Sequence, residues 1–356
     1  MLYLAKSFLL FVRLLCQFPY VWPSNSKKNM KQLVTDFPIQ LQESLIIGQN
    51  YRFTSAKKTF ANVVLTGLGG SGIGGSIIQN YVFDKMKVPF VVNKDYFMPS
   101  FISSDSLVIV SSYSGNTEET IAAMQQAIKA KATIVCITSG GKVAETAKKK
   151  NLDCILVPAG MPPRACVGYS MVQVLYTLQH FGLVKDNFEK DIKASIKLLK
   201  DEVKDIQKQA KAIAKKLIGK TPIIYAASDF EGVAVRFRQQ INENGKMLCW
   251  HHVIPEMNHN ELVGWRDKDN SRAVVILRTE DDYERVQLRM EINKKVIKKY
   301  TNSITEIYAK GKSYWEKVFY FIHLTDWVSV YLADLHEQDA TEVKVIDFLK
   351  AELAKS

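Results

Sequence analysis

The sequence is poor in the features that mark metal-binding and disulfide-stabilised proteins. It has five cysteines, an odd number, and no two of them form a CxxC pair. Their spacing therefore predicts neither a zinc site nor a disulfide framework. Cys136 and Cys154 lie in apolar, strand-like runs that are typical of reduced core residues. We therefore expect a reducing, cytoplasmic location.

Long apolar runs are also scarce. The first 22 residues are strongly apolar, but Lys6 and Arg13 interrupt them and leave no uncharged run long enough to span a bilayer. No secretory cleavage site is evident. Met30 then begins a more ordinary sequence, so we predict residues 1–29 to be an N-terminal extension and expect no stable membrane association. An atypical targeting or surface-anchoring segment is the alternative.

Acidic residues are outnumbered, which gives a formal net charge of +12. The Lys and Arg residues are not interleaved with aromatic residues on one element, as in a nucleic-acid-binding face. We therefore expect no nucleic-acid partner. A basic protein attracts small anionic substrates, because its positive potential raises their local concentration.

Short Val/Ile/Leu-rich runs alternate with helical stretches from residue 61 onward, beginning with ANVVLT. Such apolar strands indicate parallel sheets covered by helices on both faces. A Lys-rich helix is predicted over residues 185–218, ending at Gly219, and the alternation then begins again. The sequence therefore predicts an α/β protein with domains over residues 30–184 and 221–356, joined by a helical linker over 185–220.

A glycine-rich segment, GLGGSGIGG, follows the first predicted strand at residues 67–75. Glycines let the backbone approach an anion, and the helix that follows points N–H groups at it. Gly67, Gly69 and Gly72 also fit G-x-G-x-x-G, and Asp95 lies where a ribose-binding acid is expected. Phosphate, a dinucleotide and a tight turn without ligand all remain open from this segment alone.

A hydroxyl-rich segment, SSYSGNTEET, follows the third predicted strand at residues 111–120. An ordinary helix cap explains one or two of its hydroxyl residues, and the segment holds more than capping requires. Hydroxyls and helix-start amides together offer many donors to a phosphate. A second anion loop on a neighbouring strand favours one compact phosphate over an extended dinucleotide.

These two segments resemble the first half of the sugar isomerase (SIS) family. PPRACVGYS, NENGKM and PEMNHNELVGW resemble its bifunctional phosphoglucose/phosphomannose isomerase branch, and the likeness covers about residues 30–356. It implies two SIS-type three-layer αβα domains with mainly parallel sheets, no cofactor and no metal. It also implies a homodimer with shared active sites, which interconverts glucose 6-phosphate and mannose 6-phosphate with fructose 6-phosphate through a cis-enediol.

The resemblance also implies roles for single residues. Glu243 matches the proton-shuttling carboxylate, His259 a residue suited to ring opening, and Arg164 an arginine beside the enediolate oxygens. By register, Lys350 is the match to a C-terminal lysine, and Thr341 is a further candidate for the sugar end of the pocket. The phosphate-binding positions of the family fall on Gly70, Ser71, Ser112, Ser114 and Thr117.

Without the resemblance, plainer interpretations stay open. Glu243, Arg164 and Lys350 are also compatible with solvated surface positions. His259 with its neighbouring carboxylates resembles a metal cluster, although no recognised zinc spacing is present. Cys166 stands where the family pattern predicts alanine, and Gly245 is a second departure of this kind; both residues are small.

Three alternatives to the hexose phosphate isomerase remain. One is an amino-sugar phosphate isomerase on the same fold, and another is a non-catalytic sugar-phosphate sensor. A sensor needs no base, so Glu243 and His259 together argue against it. The third is a nicotinamide-dependent dehydrogenase, which rests on the glycine-rich segment alone.

Overall fold

The computed structural model describes residues 28–353 and residue 355. Most of the predicted N-terminal extension, residues 1–27, lies outside these residues, so its nature stays a prediction. Asn29 is described, and its side chain caps the first helix by accepting the backbone N–H of Gln32 at 3.0 Å.

Strands and helices alternate through the described residues. The strands are β1 (Asn62–Thr66), β2 (Phe90–Asn93), β3 (Ser106–Ser111), β4 (Thr133–Thr138), β5 (Asp153–Leu156), β6 (Thr221–Ala227), β7 (Trp250–Ile254), β8 (Arg272–Arg278) and β9 (Ile304–Tyr308). The helices are α1 (Met30–Thr35), α2 (Phe37–Asn50), α3 (Gly69–Val82), α4 (Glu118–Lys129), α5 (Gly141–Lys150), α6 (Val167–His180), α7 (Phe188–Asp201), α8 (Val203–Leu217), α9 (Glu231–Glu243), α10 (Glu284–Ile297), α11 (Tyr314–Leu335) and α12 (Lys344–Leu353).

The strands form two parallel sheets, as predicted. The first has the order β2-β1-β3-β4-β5 and the second the order β7-β6-β8-β9. In the first sheet the chain leaves β1 for the β2 edge and then returns to place β3 on the other side of β1. The strand order therefore reverses between β1 and β3, which is where open α/β sheets bind ligands.

One hydrophobic core lies between the two sheets. Leu107 and Ile109 on β3 belong to this core, whereas Val108 and Val110 pack in a separate cluster on the other face of the strand. Ile224 on β6 belongs to the same shared core. This alternation follows from the two-residue period of a strand, and it explains why both faces are apolar.

Helix α3 of the first sheet lies close to helix α9 of the second. A Cβ on Gly232, in the first turn of α9, would lie 2.8 Å from the backbone nitrogen of Ile77 in α3, so glycine allows the contact. Asn80 of α3 also accepts the Gly232 N–H at 2.9 Å. The other end of α9, at Glu243, lies near the beginning of α3, since Arg164 contacts both Glu243 and the backbone at Gly70.

The predicted linker helix differs from the structure. Two helices, α7 and α8, replace the single helix expected over residues 185–218, and the break lies at Glu202. The predicted stop is confirmed, since α8 ends at Leu217 and Gly219 has a left-handed φ of 70°. No helix in the described part of the chain is long and apolar enough to cross a bilayer.

Candidate active site

The glycine loop (residues 67–72) and the hydroxyl loop (residues 111–117) lie side by side at the carboxyl ends of β1 and β3. Ser71 joins them, because its Oγ accepts the Tyr113 backbone N–H at 3.0 Å. Ser111 Oγ donates to the Ser71 carbonyl oxygen at 3.4 Å. The two predicted anion loops therefore lie together, at the point where the strand order reverses.

Both helices that follow these loops begin without a side-chain cap. Leu68 precedes α3 and Thr117 precedes α4, and neither side chain accepts a hydrogen bond from the helix start. The first backbone N–H groups of a helix have no acceptor within the helix, and its positive end attracts anions. The two helix starts therefore offer donors to a phosphate bound between the loops.

The hydroxyl loop adds side-chain donors. Ser112 Oγ and Thr117 Oγ1 are 3.0 Å apart and share one hydrogen bond, which uses only one of their two protons. Ser114 Oγ accepts the backbone N–H of Asn116 at 3.2 Å, which leaves its own proton for a ligand. The hydroxyl loop therefore retains hydroxyl protons that no acceptor within the described residues uses.

A glycine also shapes the hydroxyl loop. Gly115 has a φ of 68°, and a Cβ there would lie 1.8 Å from the Gly140 carbonyl oxygen. The neighbouring loop after β4 supports it through Ser139, whose backbone N–H donates to the Tyr113 carbonyl at 2.9 Å. These contacts pack the hydroxyl loop closely against the loop after β4.

The glycine loop contacts the segment that carries Arg164. A Cβ on Gly70 would lie 2.6 Å from the Pro163 carbonyl oxygen and 3.0 Å from the Arg164 backbone nitrogen. Only a glycine allows so close an approach of two backbones. Arg164 is 4% exposed, so it is a buried residue next to the glycine loop and not a surface arginine.

Four hydrogen bonds hold the Arg164 guanidinium. Nε donates to Asn244 Oδ1 at 2.7 Å, and Nη1 lies 3.4 Å from Glu243 Oε2. Nη2 donates to the carbonyl oxygens of Ala340 at 2.7 Å and Thr341 at 3.0 Å. A guanidinium has five N–H donors, so one remains for a substrate. Burial lowers the pKa of Arg164 and the Glu243 carboxylate opposes this, but an arginine stays charged in either case.

A buried ion pair supports this arginine from behind. Arg236 Nη2 donates to the Arg164 carbonyl oxygen at 3.1 Å and to Asp326 Oδ2 at 2.6 Å. Gln240 donates to the second oxygen of Asp326 at 2.9 Å. Arg236 therefore links the Arg164 backbone to Asp326. The two charges of the pair compensate each other in the interior, and removing either one would leave the other buried and unpaired.

Glu243 is the last residue of α9, and its side chain is 29% exposed. It is therefore close to Arg164 on one side and accessible to a small molecule on the other. Sequence analysis predicted this carboxylate and Arg164 separately, and the structure brings them together beside the glycine loop.

His259 and Lys350 lie outside this cluster within one chain. His259 ends a 3-10 turn after the edge strand β7, and its side chain is exposed. Lys350 is on α12, a helix in which no residue is buried. Among the described residues, no hydrogen bond or ion pair joins either of them to Arg164 or Glu243. Thr341 does contact Arg164, but through its backbone.

Sequence analysis did not identify Asn244 or Lys246. Asn244 is fully buried and joins Arg164 to α11, because its Nδ2 donates to Ser329 Oγ at 2.9 Å. Lys246 Nζ donates to the carbonyl oxygens of Glu243 at 2.6 Å and Glu342 at 2.5 Å. Both residues belong to the NENGKM segment, so their position beside Glu243 was the available signal.

The residues that suggested a metal cluster have other partners. Glu261 accepts hydrogen bonds from Tyr225 at 2.5 Å and from Trp250 at 3.1 Å, and Glu256 accepts from Asn260 at 2.9 Å. Between residues 28 and 353, no three His, Cys, Asp or Glu side chains are arranged to hold a metal ion.

Comparison with known families divides the chain in the same way as the two sheets. Residues 58–172 match the SIS domain, and residues 206–353 match the bacterial phospho-glucose isomerase C-terminal SIS domain. The first match covers the glycine and hydroxyl loops, and the second covers Glu243, His259 and Lys350.

Relatives that match most of the chain indicate the same family as the two domain matches. The chain is 40% identical over 337 residues to a bifunctional phosphoglucose/phosphomannose isomerase from Caldicellulosiruptor bescii, covering 92% of this chain and 99% of that protein. It is 37% identical over 299 residues to the protein of the same description from Aquifex aeolicus, covering 83% and 91%. The C-terminal domain of glucosamine-fructose-6-phosphate aminotransferase from Francisella tularensis has a similar fold, with a TM-score of 0.75 at 13% identity over 90% of this chain and 100% of that chain.

Proposed function

The chain belongs to the bifunctional phosphoglucose/phosphomannose isomerase family, and from this membership we propose that it interconverts glucose 6-phosphate and mannose 6-phosphate with fructose 6-phosphate. The observation that carries the proposal for the site is the position of Arg164. Its backbone touches the glycine loop at Gly70, and its guanidinium contacts Glu243. A substrate whose phosphate lies between the loops therefore has a base and a cation beside it.

The phosphate is bound by the first domain. The amides at the starts of α3 and α4, with the hydroxyls of Ser71, Ser112, Ser114 and Thr117, supply its donors. All of these donors are uncharged amides and hydroxyls. They bind only the phosphate group, which all hexose 6-phosphates share, so selection between sugars depends on the rest of the pocket.

Glu243 transfers the proton between C1 and C2. In the open-chain aldose, its carboxylate takes the proton from C2, and the electrons of that C–H bond form the C1–C2 double bond. The C1 carbonyl oxygen gains a proton, which gives the cis-enediol. Return of the proton to C1, with loss of the C2 hydroxyl proton, gives the ketose. Glucose 6-phosphate and mannose 6-phosphate differ only at C2, so they share this intermediate.

Arg164 stabilises the negative charge that develops on the enediolate oxygens. Its remaining N–H donor and its full charge act in a buried setting, where electrostatic interactions are stronger than in water. Because the protein already holds the guanidinium in position, little reorganisation is needed when the charge forms.

Ring opening requires an acid and a base at the sugar end of the pocket. We assign this step to His259 of the partner subunit in a homodimer, since His259 of the same chain is exposed and outside the Arg164–Glu243 cluster. Histidine suits the step because its ordinary pKa is close to neutral. Lys350 on the exposed helix α12 is proposed to assist once the pocket is complete.

The reducing cytoplasm is the proposed location, in keeping with four unpaired cysteines among the described residues.

The experiment is to supply the full-length protein with glucose 6-phosphate and mannose 6-phosphate separately, in EDTA, and to measure fructose 6-phosphate. We expect turnover of both. Glu243→Gln keeps the shape of the side chain and removes the base, so its turnover should fall about 10²- to 10⁴-fold. Glu284→Gln, at an exposed position in the first turn of α10, is the matched control and should not change the rate.

Other outcomes identify the alternatives. Turnover of an amino-sugar phosphate without turnover of either hexose phosphate indicates the amino-sugar isomerase. Binding of hexose phosphates without turnover indicates a sensor. A Glu243→Gln variant with the wild-type rate would show that another group is the base.

A further inference from the structure

Lys246 lies three residues after Glu243, in an unusual backbone conformation. Its φ is 56°, in the left-handed region that few residues other than glycine adopt. This conformation turns the chain at the end of α9. The Lys246 side chain returns to the helix end, where its ammonium donates to the Glu243 carbonyl oxygen at 2.6 Å.

The same ammonium binds the C-terminal strap, which we define as residues 339–342 between α11 and α12. Lys246 Nζ donates to the Glu342 carbonyl oxygen at 2.5 Å. The two preceding carbonyl oxygens, of Ala340 and Thr341, accept the hydrogen bonds from Arg164 Nη2. Three consecutive carbonyl groups of the strap are therefore bound by two cations of the site.

Charges of both signs surround the Lys246 ammonium. Carbonyl groups at the end of a helix carry partial negative charge, which an ammonium group offsets. Burial lowers the pKa of Lys246, as does the nearby Arg164 charge, while the carboxylates of Glu342, Asp339 and Glu243 act in the opposite direction. Lys246 therefore lies among the charges of the site, although no substrate contact is needed to explain its position.

We propose that Lys246 is a positioning residue of the isomerase: its ammonium joins the Glu243 end of α9 to the C-terminal strap and so fixes how Arg164 faces the substrate. The inference rests on the proposed function and deepens it. Two of the four Arg164 hydrogen bonds end on the strap. If the strap moves, Nη2 loses both acceptors, and the guanidinium no longer has a single orientation beside Glu243. Helix α12, which carries Lys350, begins two residues after Glu342 and would move with it.

The test compares Lys246→Met, which keeps the length of the side chain but has no donor, with Lys246→Arg, which keeps the charge and the donors. Lys344→Met is the matched control, because Lys344 is an exposed lysine next to the strap whose ammonium makes no hydrogen bond or ion pair within the described residues. Two readouts are needed: kcat and KM for glucose 6-phosphate, and backbone hydrogen exchange of residues 337–343.

For Lys246→Met we expect kcat to fall about 10- to 100-fold, since small displacements of catalytic groups have effects of this size. KM should stay within about threefold, because the phosphate loops belong to the first domain and do not contact Lys246. Exchange in the strap should become faster. Lys246→Arg should recover most of kcat and of the protection, and Lys344→Met should match the wild type in both readouts.

The proposal is overturned if Lys246→Met keeps the wild-type kcat, if it raises KM alone, or if strap exchange is unchanged. It is also overturned if Lys246→Arg is as impaired as Lys246→Met. If Lys246→Met does not fold, as judged by its thermal unfolding, Lys246→Gln replaces it under the same criteria. If the wild-type protein has no isomerase activity, the proposed function fails, whereas the exchange comparison still decides whether Lys246 holds the strap.

Discussion

Gly70→Ala tests the contact on which the candidate site depends. Gly70 does not have a positive φ, so alanine introduces no backbone strain of that kind, and its effect comes from the added methyl group alone. That methyl would lie 2.6 Å from the Pro163 carbonyl oxygen, 2.8 Å from its carbonyl carbon and 3.0 Å from the Arg164 backbone nitrogen. All three neighbours are backbone atoms, so no side-chain rotation relieves the clash.

The expected size of the effect follows from these distances. To regain an ordinary contact of 3.4 Å, the glycine loop and the Arg164 segment must separate by about 0.8 Å. Overpacking of this kind costs about 1–3 kcal/mol of stability. A displacement of nearly 1 Å between the phosphate site and Arg164 should also lower kcat/KM by about 10²-fold. The loss of activity should therefore greatly exceed what partial unfolding explains.

The assay is kcat/KM for both hexose phosphates, together with the free energy of unfolding in urea. Gly264→Ala is the matched control, because a Cβ there meets nothing within 4 Å and the backbone has no positive φ; it should leave both quantities nearly unchanged. A Gly70→Ala enzyme that is stable and retains the wild-type kcat/KM would refute our view that the two segments must touch for catalysis. An equal loss in Gly264→Ala would refute the steric explanation.

Two further predictions concern the subunits and the pH dependence of stability. Glu243→Gln and His259→Ala should each be nearly inactive, but random mixed dimers should regain about a quarter of wild-type activity if each site takes its histidine from the partner subunit; no recovery on unfolding and refolding the two together would contradict shared sites. Asp153 is 1% exposed and accepts the backbone N–H groups of Thr54 at 2.8 Å and Ser55 at 2.9 Å. Burial alone would raise the pKa of Asp153, but the hydrogen bonds from Ser55 and Thr54 outweigh it and hold the pKa below its ordinary value. A lowered carboxyl pKa stabilises the folded state above the unfolded pKa, and this stabilisation is lost as the pH falls through the folded pKa. Asp153→Asn should therefore lower the free energy of unfolding by about 1–3 kcal/mol at pH 7, with a smaller difference below about pH 4; a difference independent of pH in urea titrations would contradict this.

The parts of the site that follow from local chemistry could be predicted from the sequence. The glycine loop and the hydroxyl loop each follow an apolar strand and precede a helix, so residues near in the chain determine both their conformation and their donors. The parallel sheets then bring these two loops together. The family resemblance was needed to select Glu243 among the many glutamates of the chain.

The parts that depend on distant backbone atoms could not be predicted. Arg164 donates to the carbonyl oxygens of Ala340 and Thr341, which are 176 and 177 residues away. Every residue has a carbonyl group, so no side-chain pattern marks such an acceptor. The left-handed conformation of Lys246 is hidden for a similar reason, because lysine rarely adopts it and the adjacent Gly245 is the more natural candidate.

The second sheet differs from the first at the point where its strand order reverses. Its strand order also reverses, between β6 and β8, where a second anion site would be expected. The loop after β8 instead holds Asp282, whose carboxylate accepts the backbone N–H of Thr279 at 3.0 Å and its hydroxyl at 2.8 Å.

The Asp282 carboxylate therefore accepts hydrogen bonds from the Thr279 groups that could otherwise donate to a phosphate. Asp229 adds to the negative charge around Asp282. Charge repulsion disfavours a phosphate at this point. The second domain instead contributes the end of α9 with Glu243, and it directs that end at the phosphate loops through the contact between α3 and α9. In the proposed function, phosphate binding and proton transfer are thus divided between two domains of the same architecture, and Arg164 lies against both the glycine loop and Glu243.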